Sequence, residues 1–102
     1  MQNFVDKTVF ITGGGSGVGL GIAKAFAKAG ANVAIGDIQE DRLAEAEQQL
    51  RELTDSILSV NVDTTDIASL QSASDTIEVT LGPVSVLCNN AGIGGGGVVL
   101  GN

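Results

Sequence analysis

The sequence has no His, no Trp and no Tyr, and one Cys and one Pro among its 102 residues. With no His and a single thiol, zinc sites built from His and Cys are excluded. Ser-His-Asp and Cys-His nucleophilic machinery is excluded as well, and without Tyr there is no phenolic acid or base. Cys88 has no partner for an internal disulfide, so nothing points to an oxidising compartment. Basic residues are scarce, with five Lys and Arg against twelve Asp and Glu and a net charge of −7. An acidic surface with singly scattered Lys and Arg carries no electrostatic footprint for nucleic acid. No run of about 18 apolar residues is present to cross a membrane. The opening Met1-Gln2-Asn3-Phe4-Val5-Asp6-Lys7 lacks the basic region and apolar run of a signal peptide, so a cytoplasmic location is expected. What remains, at 43% apolar content, is the composition of a soluble globular chain of one domain.

Apolar patterning alternates between two kinds of segment. Thr8–Thr12 (TVFIT) is a β-branched and aromatic run closed by glycines, which predicts a buried strand. Val18, Ile22, Ala25, Phe26 and Ala29 recur at helical spacing, with Gly30 where a C-terminal glycine belongs. Asn32–Asp37 (NVAIGD) predicts a second strand. Leu43, Ala46, Leu50 and Leu53 mark a helix from about Asp41, in which Glu47 and Arg51 form an i,i+4 pair. Residues 57–62 predict a third strand. Ile67, Leu70, Ala73, Ile77 and Leu81 predict a third helix, stopped at Gly82-Pro83, and residues 84–88 a fourth strand. Strands alternating with helices give βαβ units and a parallel sheet. The expected fold class is therefore α/β: a Rossmann-like, doubly wound parallel sheet truncated to four strands in the order 3-2-1-4, with three helices. Residues 1–93 are expected to form a half-domain that binds a dinucleotide through the glycine cluster between its first strand and first helix. Residues 94–102 fit neither period, and four consecutive glycines cost too much backbone entropy to hold a helix or strand unaided, so a flexible glycine-rich tail is expected there.

The glycine cluster Thr12-Gly13-Gly14-Gly15-Ser16-Gly17-Val18-Gly19 lies between the first strand and the first helix. A pyrophosphate needs backbone N–H donors that it can approach closely, and a helix N-terminus supplies them with a favourable dipole. No Gly-Lys-Ser/Thr closes the loop, so the P-loop is excluded, and no register satisfies G-x-G-x-x-G. What is present is the wider T-G-x-x-x-G-x-G. The competing explanation is a glycine-rich strand–helix turn that binds nothing. Asp37 ends the second strand, where a carboxylate accepts hydrogen bonds from the adenosine ribose and repels a 2′-phosphate. This favours NAD over NADP, and no Arg or Lys lies in the glycine loop or just after Asp37 to welcome a phosphate; the alternative for Asp37 is an ordinary cap on the following turn. In Asp63-Thr64-Thr65-Asp66, one acid could hold an adenine amino group, while for Asp66 helix capping is the better reading. Asn89 and Asn90 end the fourth strand at the topological switch point. By chemistry alone they either bind a ribose or tie the crevice together. Cys88 reads as a small buried hydrophobe.

Together these residues resemble the short-chain dehydrogenase/reductase family. The loop of residues 12–19 looks like its T-G-x-x-x-G-x-G signature, residues 63–66 are similar to its adenine-contacting D-x-T-D segment, and residues 89–92 (NNAG) look like its N-N-A-G motif. The match runs in order over roughly residues 4–93. The resemblance implies that Gly13, Ser16, Gly17, Val18 and Gly19 wrap the pyrophosphate, and that Asp37 takes the adenosine ribose with Ile38 beside the adenine. It implies that Asp63 and the Thr64 backbone contact adenine, and that Asn90, Ala91 and Gly92 lie along the nicotinamide-side ribose. The chain also departs from the family. Catalysis there uses a Tyr-x-x-x-Lys pair with a Ser ahead of it, whereas this sequence has no Tyr and no Lys after Lys28. The expectation is the NAD-binding portion of an oxidoreductase, inactive alone and with no catalytic or metal-binding residue of its own. The alternatives are a non-catalytic truncated isoform or dinucleotide-binding module that pairs with an intact subunit, and a small methyltransferase, against which the loop spacing and the NNAG run argue. With the family's later strands missing, the fourth strand is expected at an exposed edge, presenting Val84, Val86 and Leu87 for self-association or for an intact family subunit.

Overall fold

The computed structural model describes residues 4–15 and 17–90, together with the backbone of residues 97–100. Its elements are β1 (Thr8–Thr12), α1 (Gly17–Lys28), β2 (Asn32–Asp37), α2 (Glu40–Arg51), β3 (Ile57–Asn61), α3 (Ile67–Thr80), β4 (Val84–Asn89) and β5 (Gly97–Leu100). The strands form one sheet in the order β3-β2-β1-β4-β5. β1 pairs in parallel with β2 and β4, and β2 with β3, which bears out the expected 3-2-1-4 arrangement.

Strand β1 is central, so its residues are covered on both sides and all five are buried. Val9 and Ile11 face the layer made by α1 and α2, which also holds Ala23, Ala27, Val33, Ile35, Leu43, Ala46, Leu50, Val86 and Cys88. Phe10 faces the opposite layer, with Ala34, Val60, Val62, Ala73 and Ile77 under α3. The reversal has a topological cause. The connections β1–β2–β3 step in one direction and place their helices on one face, while the step from β3 to β4 crosses back over β2 and β1 and places α3 on the other. β1 and β4 stay paired to their carboxyl ends, Thr12 against Asn89, at the point where the strand order reverses.

Helix ends follow their local sequence. Gly30 has φ +92°, its N–H donates to Ala27 O, and the N–H of Ala31 reaches Phe26 O. This closes α1 with a Schellman pair that needs the left-handed conformation. Asp66 caps α3, accepting from Ala68 N–H at 2.9 Å and Ser69 N–H at 3.4 Å, as expected for that residue.

Two expectations are corrected. The buried stripe of α1 is Gly19, Ala23 and Ala27, rather than one running from Val18, which is 71% exposed; Ile22 and Phe26 pack only partly against the core. The smallest residues face the sheet because they let the helix lie close to it, and bulkier ones are displaced to the flank. The second correction concerns the end of the chain. Residues 97–100, expected in a flexible tail without strand, pair antiparallel with β4 through Val86↔Leu100 to Asn89↔Gly97. The unpaired edge of β4 supplies the ladder that a glycine-rich segment lacks unaided, and the β-branched Val98 and Val99 have high strand propensity. The expected exposed edge of β4 is therefore occupied. Val86 is buried on the α1 side, while Val84 and Leu87 are half-buried on the α3 side. The rest of the expected tail, and the boundary after residue 93, lie outside the described residues.

Candidate dinucleotide site

The described residues among those singled out in the sequence gather at the carboxyl end of the sheet. The chain leaves β1 at Thr12 and turns through Gly13, which has φ +68°, a conformation that favours glycine. The N–H groups of Gly13 and Gly14 both donate to Gly36 O, at 2.7 and 3.2 Å. The loop is thereby pinned to β2, and these two donors are unavailable to a ligand. Gly14 is packed: a Cβ there would come within 2.7 Å of Ile35 Cγ2. The donors that remain open belong to α1, whose first-turn N–H groups, including those of Gly17, Val18 and Gly19, have no intrahelical acceptor. No acidic side chain occupies that turn, and a Cβ on Gly17 would meet nothing within 4 Å. The start of α1 thus faces open space with its positive dipole end uncompensated.

Gly19 is where the helix, the loop and β4 meet. A Cβ on it would collide with Gly13 O and lie 2.9 Å from Asn90 Nδ2. The absent side chain lets α1 settle onto the loop and brings Asn90 against the helix start. The two asparagines divide their work. Asn89 Oδ1 accepts from Thr12 Oγ1 at 2.9 Å, tying β4 to β1 across the switch point, and the amide of Asn90 faces Gly19.

On the β2 side, Asp37 Oδ1 accepts from Gln39 N–H at 3.0 Å. Asp37 therefore caps its turn, and its second oxygen, Oδ2, points toward Gly15. Asn61 Nδ2 donates to Ile38 O at 3.1 Å and Val62 N–H to Asp37 O at 3.1 Å, holding the segment after β2 against β3. Gly13, Asp37, Ile38, Val62, Asp63, Thr64 and Thr65 surround a cavity of about 270 Å³. That is just under the roughly 300–1,000 Å³ of a pocket for a drug-sized ligand, so it accommodates one ring system of a dinucleotide rather than the whole. Ile38, 61% exposed, forms one rim. Asp63 Oδ1 accepts from the Thr65 hydroxyl at 2.6 Å and the Thr65 N–H at 2.9 Å. These bonds, the hydroxyl's first, hold its carboxyl below the usual carboxylate range. Asp63 is thus an acceptor with a fixed orientation at the cavity wall.

The structure brings Gly13, Gly17, Val18, Gly19 and Asn90 to the crevice, and Asp37, Ile38, Asp63 and Thr64 to the adjoining cavity. Ser16, Ala91 and Gly92 lie outside the described residues. Sequence reasoning missed Arg42, which sits against Gly15 with its Cβ 2.9 Å from where a Cβ of that glycine would lie. Its place in the first turn of α2, five residues after Asp37, was the available signal. Among the described residues no cluster of three or more metal-ligating side chains occurs.

Comparison with known proteins agrees with this geometry. A family model described as short chain dehydrogenase matches residues 7–100. A short chain dehydrogenase/reductase, dpmpG, of Macrophomina phaseolina (strain MS6) is 45% identical over 92 residues, covering 89% of this chain and 53% of the relative. The apo form of LigO from Sphingobium sp. strain SYK-6 superposes with a TM-score of 0.85 at 44% identity, covering 91% of this chain and 35% of that one. A short chain dehydrogenase/reductase from Burkholderia phymatum, solved in complex with NAD, gives a TM-score of 0.80 at 31% identity, with 85% and 31% covered. The chain thus spans about half the length of the first of these proteins and about a third of the other two.

Proposed function

The chain belongs to the short-chain dehydrogenase family, and from that premise we propose that it is the NAD-binding portion of an oxidoreductase that moves a hydride between nicotinamide and an alcohol or carbonyl substrate in the complete enzyme. The observation that carries this reading is the close approach at Gly19, which joins the open N-terminus of α1, the pinned glycine loop and Asn90 in one crevice. The residues fit a dinucleotide. First-turn N–H groups of α1 are free to take the pyrophosphate across the open space at Gly17. Asp37, at the wall of the cavity, would accept from the ribose hydroxyls, and the cavity between Ile38 and Asp63 has room for the adenine ring. NAD is favoured over NADP because a 2′-phosphate would approach the Asp37 carboxylate.

A bound nicotinamide dinucleotide supplies or accepts the hydride; the residues of this chain bind it, orient it and hold β1 and β4 at the spacing that Thr12 and Asn89 fix. The sequence has no Tyr and no Lys after Lys28, so no residue here fills the family's acid/base role, whose loss commonly costs on the order of 10²–10⁴ in rate. Calorimetric titration of the chain with NAD, paired with a turnover assay on simple alcohols, tests the reading. It expects one binding site per chain and no turnover. Absence of binding in a folded sample overturns it, and turnover overturns the assignment of the chemistry to residues elsewhere.

A further inference from the structure

We infer that the open face between α3 and β4 is a self-association surface, on which a second copy of this chain seats its Ile67 in the cavity beside Leu87 and offers its own cavity in return. The inference does not depend on the dinucleotide reading above.

A cavity of about 220 Å³ lies between Phe10, Leu70, Val84 and Leu87, and the last three stay half-buried where β4 runs beside a single helix. Ile67 stands at the rim of this cavity and is 84% exposed. The start of α3 gives it no reason to be apolar, since Asp66 already caps the helix and a β-branched residue is only a middling helix former. Single exposed apolar residues are ordinary on a soluble protein, but a contiguous patch around a hollow marks an interaction surface. The hollow is also large enough for the rim. A cavity of roughly 150 Å³ already holds a benzene-sized group, so one isoleucine side chain fits.

Charge identifies the occupant as a second copy. The side chains that line the cavity are all uncharged, Gln71 and Ser74 being the polar ones. From Val79 to Asn102, a stretch that includes β4 and β5, the sequence carries none of its twelve acidic or five basic residues. Asp66 and Asp75, the acids next to lining residues in sequence, are engaged within α3: Asp66 accepts from Ala68 N–H at 2.9 Å and Asp75 from Gln71 Nε2 at 3.0 Å. A chain of net charge −7 meets a partner of the same charge with least repulsion across such a face, whereas a basic partner would be drawn to the acidic surfaces elsewhere. A two-fold contact presents the same patch from both copies, so the rim of each lies over the hollow of the other.

Sedimentation equilibrium of the chain without added cofactor is the test. A monomer–dimer equilibrium is expected, with a dissociation constant on the order of 10–100 µM, the weak range of a small interface. Raising the ionic strength from about 0.05 to 0.5 M should strengthen the dimer, because it screens the net charge. Ile67→Ser and Ile67→Asp are expected to weaken association at least about tenfold, while circular dichroism and the thermal midpoint of the dilute monomer stay unchanged at so exposed a position. Val79→Ser, at a residue 88% exposed near the other end of α3 and outside the cavity, should change it by less than about twofold. In a mixture of ¹³C-labelled and unlabelled chain, isotope-filtered NOEs should connect the Ile67 methyls of one copy to Leu87 of the other. A chain that stays monomeric to about 500 µM, a dimer that weakens with salt, equal effects at Ile67 and Val79, or a dimer without those intermolecular NOEs overturns the inference.

Discussion

On one face of the sheet, α1 and α2 together bury Val9, Ile11, Val33, Ile35 and Leu50, the last four of these from strands and helix alike being fully enclosed with the first. On the other, α3 alone covers Phe10, Val60, Val62 and Ile77, and Leu58, Leu70, Val84 and Leu87 stay half-buried. A cavity of about 220 Å³ opens there between Phe10, Ile67, Leu70, Val84 and Leu87. Close packing and dispersion contacts make the first face stiff; the second forfeits contacts wherever its lining has no partner atoms. The glycine loop and the start of α1 belong to the stiff layer, whereas Val62, Asp63 and Thr64 bring the segment leading into α3 to the cavity wall. The phosphate-side part of the candidate site and the under-covered core beneath α3 are therefore separable, and substitutions can address one without the other.

The largest expected effect lies in the stiff face. Leu50→Ala should cost about 2–5 kcal/mol of stability in urea unfolding, the usual range for a fully buried leucine. Leu87→Ala, at the cavity of the other face, should cost about 1 kcal/mol or less because its side chain is already partly hydrated. Equal losses would break the distinction between the faces. Gly19→Ala comes next: its methyl would force α1 away from Gly13 O, and NAD affinity is expected to fall at least about tenfold, or about 1.4 kcal/mol. Retained affinity would show that the close approach is not needed. Asp66→Ala removes the α3 cap and should lower stability by about 1 kcal/mol, a small change in a helix that holds the under-covered face alone, readable as a lower thermal midpoint.

The smallest effect is electrostatic. Ser59 Oγ donates to Glu47 Oε1 at 2.7 Å, joining α2 to β3, and this bond, more than the neighbouring Arg51, holds the Glu47 carboxyl below its ordinary range against the opposing effect of burial. A carboxyl whose folded value is depressed contributes stability that is present above the unfolded value, about 4.3, and is lost as pH falls through the folded value. Ser59→Ala should therefore flatten the decline of the thermal midpoint between about pH 5 and 3. An unchanged slope would assign that decline to other acids, such as Asp63.

The sequence made the parallel order and the gathering of Gly13, Gly19, Asp37, Asp63 and Asn90 legible, because strand–helix alternation and right-handed crossovers leave few topologies and send those positions to one end of the sheet. Three features were not legible. The buried stripe of α1 runs through Gly19, Ala23 and Ala27, and hydrophobicity alone favours the larger Val18 and Phe26 when close approach is what selects. Strand β5 depends on the free edge of β4, a nonlocal partner invisible to local propensity at Gly97. Arg42 is distant from the glycine loop along the chain, and only the packing of α2 brings its Cβ against Gly15.

The central claim is that the carboxyl-end crevice takes a dinucleotide, and amide chemical-shift mapping of the ¹⁵N-labelled chain during NAD titration tests it most directly. The account predicts saturable shifts at Gly13, Gly17, Gly19, Asp37, Asp63 and Asn90, with the amides of Leu70, Ser74 and Val84 around the other cavity left in place. Shifts centred on that cavity, or a folded chain whose spectrum does not respond to NAD, would contradict it.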